Sequence, residues 1–227
     1  MNARLKEVLY WLVLIAPLGL MLSLMPNIPS VIPLHYNFSG EVTRYGSKYE
    51  MLILPVIGIA IAVTLNSLSR SLAKKSERGL QNGKILVQIG FILSICFGAL
   101  SLAMLYFSSI NTMNINETAA IRIITFVLGV MFLFMGNLMP KCKRMDNPWH
   151  AVVGLRTPWT LRDDEVWAKT NRLGGYCMVG IGFLGIALSF ILSNYWSLMI
   201  LCALVFLLAI AGTIYSWHLY RRIHPNK

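Results

Sequence analysis

Six stretches of this chain are each long and apolar enough to be a membrane-crossing helix, which excludes most other folds. A bilayer core about 30 Å thick is crossed by about 20 helical residues. Runs of that kind occupy residues 8–25, 49–69, 84–108, 118–139, 173–193 and 196–217. Charged residues make up only 13% of the 227-residue chain, and mean hydropathy is +0.64. A soluble domain carries about twice that charge. The first run follows Arg4 and Lys6 as a signal peptide would, but it lacks an Ala-x-Ala-like cleavage site and ends in Pro26, Ile28 and Pro29. It reads as a retained span. Only Asn194 and Tyr195 separate the last two runs, so a tight antiparallel turn is expected there. The expected fold class is all-α: a polytopic membrane bundle of six transmembrane helices.

Lysine and arginine set the expected orientation. Two precede the first span (Arg4, Lys6) and five lie at the second connection (Arg70, Lys74, Lys75, Arg78, Lys84). Seven occupy the fourth connection (Lys141, Lys143, Arg144, Arg156, Arg162, Lys169, Arg172), and three follow the last span (Arg221, Arg222, Lys227). Against these seventeen stand Arg44, Lys48 and Arg122 at the other ends. The positive-inside rule places both termini in the cytoplasm. Tyr10 and Trp11, Tyr195 and Trp196, and Trp217 and Tyr220 fall at interfacial depth in that frame. The net charge of +11 is then a membrane feature. No nucleic-acid-binding motif accompanies it, and direct nucleic-acid contact is not expected.

No Asp, Glu, Lys, Arg or His lies near the middle of a span, where polar character is limited to Thr64, Ser94, Ser101 and Thr125. Ion-coupled pumps and proton relays need buried ionisable groups. A small transporter of a lipid or apolar solute is the alternative that survives, suggested by the interruptions at Pro17, Gly19, Pro55 and Gly58. Small residues recur at fourfold spacing as Gly90, Ser94, Gly98 and as Gly185, Ser189, Ser193. Such faces first mean close helix packing, and secondly a ligand groove or a homo-oligomer contact. Cys96, Cys142, Cys177 and Cys202 show no zinc-type spacing and none lies in an outer loop, so they read as reduced structural thiols. No cofactor or metal site is expected. His150 and the acidic triplet Asp163, Asp164, Glu165 make acid–base chemistry conceivable, yet no nucleophile–base motif or P-loop is present and the reading is non-enzymatic.

Two connections carry information. In the first, residues 25–50, Pro26, Pro29 and Pro33 block helix and favour extended backbone. Gly40 and Gly46 allow tight turns, with Tyr45 and Tyr49 at headgroup level, so an ordered outer cap over residues 26–48 is expected. His35, the one histidine expected outside, reads as a hydrogen-bonded structural residue. In the fourth, residues 140–172, Lys141, Lys143 and Arg144 are placed to meet anionic headgroups. Thr160 followed by Asp163 resembles a capping box, so a helix is expected from Leu161, with the acids in its first turn and Trp159 and Trp167 on the membrane surface. Arg156 reads as a structural anchor or an anion contact.

The segments GNLMPK (136–141), GLRTPWTL (154–161) and VWAKTNR (166–172) resemble the C-terminal signature of SdpI-type bacterial membrane proteins. The outer segment IPLHYNFSGEVTRYGSK (32–48) is similar to the domain of unknown function that often precedes it. Two positions depart from the pattern: the family tends to read Thr-His-Arg at Thr170-Asn171-Arg172, and usually carries Asp about where Thr43 sits. The resemblance implies a six-helix protein of the bacterial cell membrane, an N-terminal two-helix unit (1–70) and a four-helix region (71–227). It implies a non-enzymatic immunity or sensor protein whose ligand is a secreted toxic peptide or a lipid-like molecule, relayed to a cytoplasmic repressor. Membrane lipids are partners in either case. The residues expected to contact ligand or partner are His35, Tyr36, Gly40, Tyr45 and Lys48 outside, and Asn137, Arg156, Thr157, Trp159, Trp167 and Arg172 inside.

Overall fold

The computed structural model describes residues 2–36, 42–110, 117–147, 153–192 and 195–225. Within them run six long helices: α1 (Ala3–Leu24), α2 (Ile53–Ala73), α3 (Glu77–Ile110), α4 (Glu117–Leu138), α5 (Asp164–Ile191) and α6 (Tyr195–Ile223). Each carries a segment long and apolar enough to cross a membrane, as expected. An antiparallel hairpin, β1 (Val31–Tyr36) and β2 (Val42–Ser47), joins α1 to α2. Tyr195 already belongs to α6 rather than to the turn before it, and Asn194 lies outside the described residues.

Ion pairs show which helix ends lie together. Arg70 near the end of α2 is 3.6 Å from Glu7 near the start of α1, and His224 just beyond α6 is 3.0 Å from Asp163 just before α5. Both termini therefore share one end of the bundle with the α4–α5 connection. The hairpin sits at the opposite end. There Ile28 and Ile32 bury against Met21 of α1, Met25 just after it, Met51 ahead of α2, and Leu105 of α3.

Apolar burial does not drive helices together in lipid, because the lipid is as apolar as the side chains; close backbone approach does. The α4–α5 seam is built that way. Gly129 and Gly136 of α4 face Gly175 and Gly182 of α5, each pair seven residues apart. A Cβ on Gly182 would lie 2.6 Å from the Leu133 nitrogen and 2.7 Å from the Gly129 oxygen, and one on Gly136 would lie 2.7 Å from the Gly175 oxygen. A seven-residue repeat returns to one helix face every two turns, so both glycine pairs stay on the seam. The Gly90–Ser94–Gly98 face is also filled: a Cβ on Gly90 would sit 3.0 Å from Ala62 Cα, and one on Gly98 2.7 Å from Pro17. Gly185 packs against Leu201 and Gly129. These faces thus serve packing within the bundle rather than a groove. Thr125 and Ser197, both buried, share a hydrogen bond of 3.2 Å between α4 and α6.

Gly182 and Gly180 differ only in what surrounds them, since nothing lies within 4 Å of a Cβ on Gly180. Gly182→Ala is expected to lower the unfolding free energy in mixed micelles by about 1–3 kcal/mol, because backbone must move. Gly180→Ala is expected to be neutral or stabilising by up to about 1 kcal/mol. Detergent-titration unfolding of the two variants measures the contrast.

Candidate functional site

The two ends of the bundle hold the residues singled out from the sequence. At the hairpin end, Lys48 is a structural clamp: its Nζ donates to the carbonyls of Met25 (2.7 Å) and Ile28 (2.9 Å). The Met25 carbonyl also closes the short 3-10 turn Met25–Asn27 that follows α1, where a cation complements the helix dipole. Glu50 folds back onto the Ser47 amide at 3.1 Å and pairs with Arg44, which fixes β2 onto the start of the next turn. Gly46 lies inside β2 rather than in a turn, because a Cβ there would collide with Glu50 and Leu34. His35 is exposed on β1 and its Nδ1 shares a hydrogen bond with Thr43 of β2. Tyr45 and Tyr49 are exposed, with Val31 beside them in the same cap. Tyr36 ends β1, and Gly40 lies outside the described residues.

At the other end the α4–α5 connection forms a compact plug. Trp167 does not lie on the membrane surface. It is 2% exposed, and its Nε1 donates to the Cys142 carbonyl at 2.8 Å. Around it pack Leu72 of α2, Ile85, Leu86 and Ile89 of α3, Leu138 of α4 and Met145. Segment 153–161 inserts between α5 and α6. Gly154 has φ +119°, a conformation nearly restricted to glycine, and any Cβ there would collide with Asn171. Asn171, buried, accepts from the Leu155 amide at 2.7 Å and donates to the Trp167 carbonyl at 3.0 Å. The Leu155 methyls occupy space opened by two glycines: a Cβ on Gly174 would meet them at 2.8 Å, and one on Gly212 at 2.6 Å. Thr157, buried, hydrogen-bonds Ser216 of α6 at 2.9 Å, while the Thr160 hydroxyl donates to the Leu155 carbonyl at 2.8 Å. The plug therefore ties α5 to α6.

The expected helix start at Leu161 is displaced. Thr160 closes a local turn with Thr157, and α5 begins at Asp164 with Asp163 as its cap, accepting from the Glu165 and Val166 amides at 2.8 Å each. Asp caps better than Thr because a carboxylate is drawn to two helix-end amides at once. Arg144 also turns inward rather than towards lipid. It bridges Asp164 and the Leu161 carbonyl, while Arg78 of α3 grips the same Asp164 at 2.9 and 3.1 Å. Of the remaining expected residues, Asn137, Arg156 and Arg172 are exposed and Trp159 is half-buried. The structure brings Thr157 and Trp167 into one plug, leaves Arg156 and Trp159 at its surface, and sets the outer residues at the far end of the bundle. His150 lies outside the described residues. Arg78, Asn82 and Ser216 contribute to this end without a sequence signal, because their partners lie 59 to 86 residues away.

Charge at this end is organised by the same contacts. Burial pushes the Asp163 carboxyl up, but donation from Val166, His224 and Glu165 outweighs it and holds the carboxyl below its usual range. Burial pushes the Cys142 thiol up to about 12, so it stays protonated and unreactive.

Six helices long and apolar enough to cross a membrane, clamped by a hairpin at one end and a polar plug at the other, define a multi-pass integral membrane protein. Residues 147–216 match the SdpI/YfhL protein family, and residues 12–59 match a domain of unknown function, DUF1648. The first match covers the plug from residue 147 onward, α5 and most of α6; the second covers most of α1, the hairpin and the start of α2. The chain is 26% identical over 203 residues to the immunity protein SdpI of Bacillus subtilis (strain 168), covering 88% of each chain. No solved structure matches it.

Asn171→Leu keeps the volume but strips the Leu155 amide of its acceptor, and is expected to cost about 1–3 kcal/mol of unfolding free energy. The exposed neighbour change Arg172→Leu is expected to stay within about 0.5 kcal/mol. Asp163 adds a pH dependence. Its native carboxyl is depressed, so its stabilisation is complete above the unfolded value near pH 4 and is lost as pH falls through the lower native value. Melting scans between about pH 6 and pH 3 are expected to show this loss in the wild type and less of it in Asp163→Ala. That variant should also be about 0.5–2 kcal/mol less stable at neutral pH.

Proposed function

We infer that this chain is a membrane immunity protein that meets a secreted toxic peptide at its hairpin end. The observation that carries this reading is its likeness, along 88% of its length, to an immunity protein. The orientation it needs follows from charge: the end carrying seventeen of the twenty Lys and Arg residues faces the cytoplasm, leaving the hairpin outside.

The hairpin supplies a chemistry for capture. A two-stranded sheet has an unpaired outer edge on each strand, and an extended peptide can add to one by main-chain hydrogen bonds. Pro33 removes an amide from β1, and register irregularities around His35 distort it further. β2 carries no proline and presents Tyr45 as an exposed anchor beside Lys48, whose charge is held in place by two carbonyls. Tyr45 and its neighbours Tyr49 and Val31 supply the apolar area such a peptide needs. A relay to a cytoplasmic partner would run through the plug, whose exposed Arg156 and half-buried Trp159 form its surface. Relay further requires that the peptide bind two arrangements of the bundle with different affinity.

The test is survival of a toxin-sensitive Gram-positive strain expressing the chain and challenged with a secreted membrane-active toxic peptide, with membrane levels checked by immunoblot. Wild type is expected to protect. Tyr45→Ala, present at the same level, is expected to lower the tolerated dose about tenfold, as for loss of one aromatic anchor. A well-expressed wild type that protects against no such peptide overturns the immunity reading. Full protection by Tyr45→Ala overturns the hairpin as the point of capture.

A further inference from the structure

Three lysines gather where the start of α3 meets the end of α4: Lys84, Lys141 and Lys143. All are exposed, and none forms an ion pair with a described carboxylate. Their backbone is held from α3. Gln81 Nε2 donates to the Lys141 carbonyl at 3.1 Å. The buried Asn82 amide donates to the Lys143 carbonyl at 2.7 Å and accepts from the Lys143 nitrogen at 2.8 Å. Lys84 follows Gln81 by three residues and so lies beside it, one turn further into the span. Acids at this end are engaged elsewhere, Asp164 between Arg78 and Arg144 and Asp146 with Arg144. Glu77 stands about 10 Å back from Lys84 along the α3 axis, and about 6 Å back from Gln81.

A local excess of positive charge of this kind attracts an anion. Three cationic side chains rise from neighbouring backbone at the edge of the apolar span, with the Lys141 and Lys143 backbone held against α3 by Gln81 and Asn82. The neighbouring surface of α4 is graded from polar to apolar. Asn137 and Phe134 share one exposed face of α4 at a spacing of three residues, and Lys141, in the 3-10 turn Met139–Lys141 after the helix, sets its Nζ 3.5 Å from Asn137 Oδ1. A cation, then an amide, then an aromatic ring matches a phosphate, a glycerol backbone and an acyl chain in that order along the membrane normal.

We propose that this α3–α4 seam seats the headgroup of an anionic phospholipid. Lys84, Lys141 and Lys143 surround the phosphate, and Phe134 lies along the acyl chain. Arg144, which the sequence grouped with the two loop lysines, is excluded because Asp164 holds it inside the plug. The seat is independent of the immunity reading and of which way the bundle faces.

The experiment uses the full chain in nanodiscs of mixed phosphatidylcholine and phosphatidylglycerol, counting retained lipid per protein by mass spectrometry after mild delipidation. Wild type is expected to retain phosphatidylglycerol in preference to phosphatidylcholine. Each single Lys→Gln change should weaken that preference about fivefold, the effect of one cation near a membrane surface. Lys84→Gln/Lys141→Gln/Lys143→Gln should abolish it with helicity by circular dichroism unchanged. Arg221→Gln/Arg222→Gln, at the same end but on α6, should keep it. The proposal is overturned if the triple variant retains as much phosphatidylglycerol as wild type, or if the α6 variant loses as much as the triple variant. It is equally overturned if inorganic phosphate displaces the lipid and stabilises the chain in pure phosphatidylcholine, which marks a free-phosphate site.

Discussion

In a lipid solvent the contact between α4 and α5 cannot rest on the hydrophobic effect, and most of the bundle is arranged around that constraint. Gly129, Gly136, Gly175 and Gly182 remove side chains from the seam, so one backbone lies against the other and dispersion forces act at short range. The next seams follow the same rule in smaller measure, with Gly90 against Ala62 and Gly98 against Pro17. Pro17 thus helps the fold as a packing surface, where its position mid-span first suggests a broken helix.

Close packing aligns helices but does not fix their ends, and there the chain uses buried or half-buried polar side chains that grip loop backbone. Lys48 closes the end of α1, Asn82 holds the α4–α5 connection at Lys143, and Asn171 holds it again at Leu155. Trp167 adds a fourth grip on the Cys142 carbonyl. Each bond also satisfies backbone groups that would be costly to leave bare beside lipid or core. The plug thereby ties α3, α5 and α6 together at this end of the bundle.

The six spans were legible because their signal is local: a run of apolar residues meets a fixed bilayer thickness. The site residues were legible only as types. Lys48 was legible as a cation on an outer loop, but not its partners, the carbonyls of residues twenty and twenty-three positions upstream. Trp167 looked interfacial, as tryptophans near span ends often are, until α2, α3 and α4 closed around it. The start of α5 was misplaced by three residues because Thr160 and Asp163 are both good caps in isolation. The tertiary contact of Thr157 with Ser216 commits Thr160 to a turn instead. The glycine heptads of α4 and α5 were readable as seven-residue spacing, but a search at fourfold spacing passes over them.

The sequence alone determined that this is a six-span helical membrane protein, since hydropathy and span length answer to the bilayer and need no partner. Charge asymmetry told which ends belong together, because each span reverses the chain. Only the tertiary structure decided that residues 31–36 and 42–47 pair as a hairpin, that Arg144 turns inward while Lys141 and Lys143 stay exposed, and that the Gly154–Leu161 motif is a wedge between α5 and α6. Those outcomes depend on hydrogen bonds and close contacts between residues far apart in the chain, and no local pattern of polarity encodes which distant group will meet which.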